Sequence, residues 1–183
     1  MAGIFKESVL TKKGIELLAK AQAGKCTIKL TGAVTGSGSY TEDENLSERT
    51  ELKEVRQSFN LNVIKVQNET NVYAKFVITN RPESGALAQG YYVKEIGIYA
   101  EDPDGGEILY AIAVAVEDQW DYMPSYNGML ASTITVEFLI EVANASEVVI
   151  QSPEGNYIFD EATGAKYKLG IENGLLFYEE VEE

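Results

Sequence analysis

The chain has 183 residues, 45% of them apolar, enough for one sizeable core with room for a small appendage. Its 29 acidic against 15 basic residues give a formal charge of −14, which disfavours nucleic acid and anionic membranes as partners. A basic protein surface or bound cations suit that charge, as does simple solubility.

There is no histidine, so the commonest general base and metal ligand are missing. The single cysteine, Cys26, can form no internal disulfide and reads as a small core residue in a strand over 26–30. The opening MAGIFKESVLTKKG has no signal-peptide run, and nothing later approaches the roughly 18 consecutive apolar residues of a membrane span. A protein made in the cytoplasm, without a membrane span, is expected.

Residues 11–24, TKKGIELLAKAQAG, predict the first helix, with Thr11 as N-cap, Ile15, Leu18 and Ala21 on one face, and Gly24 as the left-handed stop. Gly14 in its first turn costs little. Ile4, Phe5, Val9 and Leu10 form a short edge strand or pack on that helix. After the strand, TGAVTGSGSY carries Gly32, Gly36 and Gly38 but has neither a Gly-Lys-Ser/Thr ending nor Rossmann spacing, so it reads as a turn. Residues 41–53 are acidic and predict either a short exposed helix or a long loop.

From Val55 the period is two. Val55, Gln57, Phe59, Leu61 and Val63 alternate, QNETN turns, and Val72, Ala74, Phe76 and Ile78 alternate again, a hairpin signal. Its other face, with Arg56, Asn60, Asn62, Lys65, Tyr73 and Lys75, reads as solvated. Pro82 breaks a loop over 80–89.

Residues 91–116, YYVKEIGIYAEDPDGGEILYAIAVAV, predict two adjacent antiparallel strands joined by a loop of about seven residues. Ile108, Tyr110, Ile112, Val114 and Val116 share one face and Leu109, Ala111, Ala113 and Ala115 the other; with both faces apolar, this pair is the centre of the domain. Asp102, Asp104 and Glu107 fail as an EF-hand, because Glu107 stands sixth where Gly is needed and no Glu stands twelfth.

Trp120, Tyr122, Met123, Tyr126 and Met129 concentrate in 118–130, a segment with breakers at Pro124 and Gly128. That is the composition of an interface anchor, or of a loop folded back as a plug on the core. In 132–142 alternation returns, with Ile134, Val136, Phe138, Ile140 and Val142 inward and Thr133, Thr135, Glu137 and Glu141 outward. Pro153 and Gly155 mark a boundary. Beyond it, Tyr167, Leu169 and Ile171 alternate, Asn173-Gly174 is the preferred two-residue turn, and Leu175, Phe177 and Val181 continue. An isolated hairpin is marginal in water, so this one packs on its own domain, on a symmetry mate or on another chain.

The run VKEIGIYAEDPDGGEILYAIA resembles the N-terminal domain of phage tail-collar fibre proteins, including those of contractile particles of Gram-positive bacteria. The resemblance rests on Glu95, Ile96, Gly97, Ile98 and Tyr99, then Leu109, Tyr110 and Ala111, and extends over 5–151. It implies a strand ending in a Gly-x-Gly turn after the first helix, a variable Pro-containing loop at 118–130, and a final strand with an Asn-containing turn at 144–146. It also implies a structural, non-enzymatic protein in a virion or phage-like tail, with no catalytic, cofactor or metal residues, made in the bacterial cytoplasm.

The expected fold is α+β: mainly antiparallel sheet or sandwich, one or two short N-terminal helices, a baseplate-attachment domain over 5–151 and a β-hairpin appendage over 152–183. The expected partners are baseplate proteins and a separate fibre chain, in a homotrimer, through Trp120, Tyr122, Met123, Tyr126, Tyr167, Leu169, Leu175 and Phe177. Whether the chain is a whole short fibre or an adapter stays open. An alternative is a carbohydrate- or surface-binding module stacking sugars on Trp120, Tyr122 and Tyr126. A glycan hydrolase using Glu137 and Glu141 has nothing to push their pKa values apart.

Overall fold

The computed structural model describes residues 5–61, 63–66, 71–82, 85–141, 148–150, 156–159, 166–172 and 175–180. Strand β1 (Val9–Leu10), helix α1 (Lys12–Gln22) and strand β2 (Ile28–Gly36) come first, then β3 (Val55–Phe59), β4 (Val63–Val66) and β5 (Asn71–Thr79). Next are β6 (Tyr91–Val93), β7 (Glu95–Asp102), β8 (Gly106–Val114), β9 (Asp121–Met123), β10 (Thr133–Glu141) and β11 (Val148–Ile150). The last strands are β12 (Asn156–Phe159), β13 (Lys166–Glu172) and β14 (Leu175–Glu180). Among the described residues the fold is mostly antiparallel sheet with one α-helix and no closed barrel. By packing, the chain divides into Met1–Gln151 and Ser152–Glu183.

In the first unit, β1, β8, β7 and β2 lie side by side, and the far edge of β2 is shared. Its first half takes β11 in parallel, its second half β3 antiparallel. A second sheet runs β10, β5, β4, and β6 pairs with β9. Apolar side chains of both larger sheets, of β6 and β9, and of α1 meet in one core around Phe76, Ile98, Tyr110 and Ile140.

The alternation over 55–66 does not make one strand. β3 joins β2, while β4 pairs with β5, so only the second half forms the expected hairpin; its turn over 67–70 lies outside the described residues. The central pair is tighter than expected: Asp102 pairs with Gly106, leaving only 103–105 as the turn.

The faces of β8 also depart from strict alternation. Opposite Ile98 and Tyr99 the register skips Tyr110, a bulge that turns the following residues over. Hence Ile108, Tyr110, Ala111 and Ala113 face the main core, whereas Leu109, Ile112 and Val114 face a smaller cluster with Leu52. A matching skip at Thr31 bends β2 beside it. The expected turn after residue 30 is therefore strand, and Gly32 and Gly36 lie within β2. Cys26 precedes this strand and packs, half-buried, against the core.

Helix α1 is docked on the β8 bulge. The Thr11 side chain accepts from the Gly14 N–H and donates to the Leu109 carbonyl, and the Thr11 N–H donates to the Tyr110 carbonyl at 3.0 Å. Gly14 lies so close to that carbonyl that a Cβ would overlap it, so this glycine is a packing requirement. The buried stripe is therefore Gly14, Leu17, Leu18 and Ala21; Ile15, placed on that face by the sequence, is half exposed. Gly24 ends the helix at φ 68°, as expected. The acidic stretch over 41–53 is a loop with a single 3-10 turn, Leu46–Glu48.

In the second unit, taken by itself, the backbone of β12 pairs with β13 and β13 with β14, all antiparallel. Asn173 and Gly174, the expected turn, lie outside the described residues, as do Pro153, Gly155 and Val181.

Candidate partner-binding surface

Glu95, at the start of β7, is fully buried among apolar strands, and the chain supplies it with four donors. One carboxylate oxygen accepts from the backbone N–H groups of Gly38 and Glu54, both at 2.8 Å. The other accepts from the Lys53 N–H at 2.9 Å and the Tyr40 hydroxyl at 2.5 Å. A Cβ on Gly36 or Gly38 would collide with this carboxylate, which explains glycine at both places. Burial, reinforced by the bond to Glu95, pushes the Tyr40 phenol well above its ordinary pKa. Lys53 reaches over the Tyr40 ring and binds Glu44 at 2.6 Å, holding that carboxyl below the usual carboxylate range. The acidic loop is thus fastened to the central strand pair at one buried charge.

That loop forms one wall of a cleft of about 580 Å3 lined by Lys6, Ser39, Thr41, Lys94, Glu117 and Trp120. The Lys94 ammonium donates to the Ser39 hydroxyl at 3.1 Å and lies 3.8 Å from the centre of the Trp120 ring, covering one face of the indole.

Trp120 leads into β9, which pairs with β6 so that Tyr91 opposes Met123 and Tyr92 opposes Tyr122. Alternation turns Tyr91, Val93 and Met123 into the core. The buried Tyr91 hydroxyl is 2.6 Å from the Thr35 hydroxyl and donates to the Gln57 side chain at 2.9 Å; burial raises its pKa. Tyr92 and Tyr122 point outward, 49% and 53% exposed, with ring centres 5.0 Å apart. Tyr92 also meets the edge of Trp120 at 5.9 Å. Beyond β9 the chain is anchored by Tyr126 N–H to the Leu87 carbonyl at 2.8 Å, and Arg81 covers the Tyr126 ring. Met129 and Leu130 then stand 78% and 84% exposed.

Trp120 and Tyr122, singled out in the sequence, do come together, and Tyr126 lies further along, half-buried. Met123 is a correction: it is fully buried in the core, because β9 directs alternate residues inward. Tyr167, Leu169, Leu175 and Phe177 fall on β13 and β14, of which the backbone alone is described. Sequence reasoning missed Tyr92, Lys94 and Leu130. The first had a signal, since two adjacent tyrosines in a strand must face opposite ways.

Of the remaining titratable candidates, Asp102 and Glu137 have structural partners. Asp102, considered for calcium, is buried and bound by Lys20 at 2.6 Å, which holds its carboxyl below the usual range. Glu137 is exposed, 3.8 Å from Lys75. The Glu141 side chain lies outside the described residues.

Among the described residues no helix is long and apolar enough to cross a membrane. A family model described as phage tail-collar fibre protein, N-terminal, matches residues 1–162. Neither a curated protein nor a solved structure matches the chain.

Proposed function

The chain belongs to the phage tail-collar fibre family, which is structural and not enzymatic and whose place is the virion tail, and from that premise we propose that it attaches a receptor-binding fibre to the baseplate or forms a short fibre there. The observation that carries this reading is where the exposed apolar side chains lie. Of the seven large ones among the described residues, Tyr92, Tyr122, Met129 and Leu130 belong to β6, β9 and the loop that follows, while Ile15, Val55 and Leu139 lie on three other elements. Two exposed tyrosine rings in contact, followed along the chain by two exposed aliphatic side chains, fit a docking face better than solvent.

In this reading unit Met1–Gln151 docks on baseplate proteins, in a phage or a phage-derived contractile particle. Unit Ser152–Glu183 receives a separate fibre chain or completes a homotrimer. The stacking alternative is disfavoured: Lys94 occupies one face of Trp120, and the Tyr92 and Tyr122 rings are tilted by 55°, so no flat platform for a sugar is offered.

The test is to assemble particles carrying a chain that ends at Gln151. β11 then still closes the edge of β2. Expected is retention of the shortened chain on the tail, by mass spectrometry of purified particles, with the fibre or the trimer lost. A shortened chain that folds by circular dichroism but is absent from the tail would refute the assignment of docking to the first unit.

A further inference from the structure

We infer that the Tyr92–Tyr122 face is a heterologous docking surface for an arginine-bearing protein segment, and not a contact between copies of this chain. The inference rests on the attachment reading and adds the chemistry of the partner.

Three observations carry it. First, the Tyr92 and Tyr122 rings are half exposed, whereas the indole beside them is already covered by Lys94. Open tyrosine faces accept a guanidinium by cation–π stacking. Secondly, Glu117, Asp118 and Asp121 lie within three residues of Trp120, and none has an ion-pair partner among the described residues. By contrast Lys12, Lys13, Lys20, Lys29, Lys53, Arg56 and Lys75 each hold a carboxylate. The turn into β9 therefore carries three carboxylates without ion pairs against the two ammonium groups of Lys6 and Lys94 in the adjoining cleft, an excess of negative charge beside the tyrosine pair. Asp118 is also the one described non-glycine residue at positive φ, 60°, a conformation Asp and Asn tolerate, so the turn carries an exposed carboxylate where glycine is the usual residue. Thirdly, each copy carries a formal charge of −14, so bringing two such faces together would oppose like charges, while a basic segment is attracted both locally and at long range.

The chain provides its own reporter, since Trp120 is its only tryptophan. The full-length protein is titrated with the peptide acetyl-Arg-Leu-Arg-Leu-Arg-amide, and with the same peptide carrying citrulline for arginine, while the indole emission is followed at low salt. Expected is a saturable change with the arginine peptide and none with citrulline. Glu117→Gln with Asp118→Asn should weaken binding about five- to tenfold, within the range for two exposed charge pairs. Tyr122→Ala should weaken it comparably. The control Glu16→Gln with Glu101→Gln changes the net charge equally, on α1 and near the β7–β8 turn, and should leave affinity within about twofold. Equal binding of citrulline, equal loss in the control, or a silent Trp120 would overturn the proposal. Such a result would leave tail attachment standing, because that is tested separately by the chain ending at Gln151.

Discussion

Glu95 lies three residues beyond Tyr92, which faces Tyr122 across the β6–β9 pair, yet the carboxylate and the tyrosines break the inside-outside rule in opposite directions. Glu95 is a charge in the core; the tyrosines are large rings in water. The carboxylate has all its partners within the chain, namely three backbone N–H groups and the Tyr40 hydroxyl. Its environment is complete, so its role is architectural. The tyrosines have each other, the edge of Trp120 and the backbone at Gly90, and about half of each remains open to solvent. An exception satisfied internally belongs to the fold, whereas one left open belongs to an assembly.

The largest expected effect comes from breaking the first half of that contrast. Glu95→Ala leaves three N–H groups and a phenol without an acceptor and should cost about 3–5 kcal/mol, read from the denaturant midpoint. Glu95→Gln should recover only part, because an amide presents one acceptor oxygen and turns a donor towards donors. A loss below about 1 kcal/mol for either would mean that water replaces the carboxylate and that the acidic loop is not fastened there.

How much of this was legible depends on how local the cause is. The cap at Thr11 and the stop at Gly24 are set within a few residues and were readable. So was the outward set Thr133, Thr135 and Glu137, because β10 pairs with β5 without a register break. The bulges at Thr31 and Tyr110 were not, since neither position carries a residue that announces one; they arise where three strands and the start of α1 must fit together. For the same reason Gly14 read as tolerated when it is demanded, by a carbonyl nearly a hundred residues away. The division of 55–66 between two sheets is likewise a choice of partner, on which alternation is silent. Glu95 stood out by resemblance, but its donors at 38, 53 and 54 are backbone groups that no side-chain pattern reveals. At the candidate surface, composition singled out Trp120 and Tyr122, whose rings the fold brings against Tyr92, together with Met123, which is buried, because the boundaries of a three-residue strand decide which neighbour faces out.

A smaller effect sharpens the comparison from a site of intermediate character. Asp102 is buried but reaches Lys20, which is partly exposed and also binds Asp104 at 2.9 Å. These contacts hold the Asp102 carboxyl below its ordinary range and the Lys20 ammonium above its own. A depressed carboxylate contributes stability above the unfolded value, near pH 4, and loses it as pH falls through the lower folded value. A raised ammonium contributes below its unfolded value, near pH 10, and loses it as pH rises through the higher folded value. The gap in urea midpoint between the native chain and Asp102→Asn should therefore be constant from about pH 5 to 9 and narrow on acidification below about pH 4. A gap that persists undiminished to pH 2 would assign the loss to packing at the β7–β8 turn instead of charge.

The smallest expected effect on the isolated chain is at Tyr122, and its smallness is the point. Truncating a half-exposed ring that touches Tyr92 and passes over Gly90 should change stability by no more than about 0.5 kcal/mol in a urea titration. If the side chain is a docking element, the same Tyr122→Ala substitution should nevertheless lower incorporation into purified tails severalfold, because the open face that contributes nothing to the monomer is what the partner covers. A large loss of monomer stability would place Tyr122 with Glu95, as architecture. Unchanged stability together with unchanged incorporation would leave the exposed rings without a partner and remove the contrast altogether.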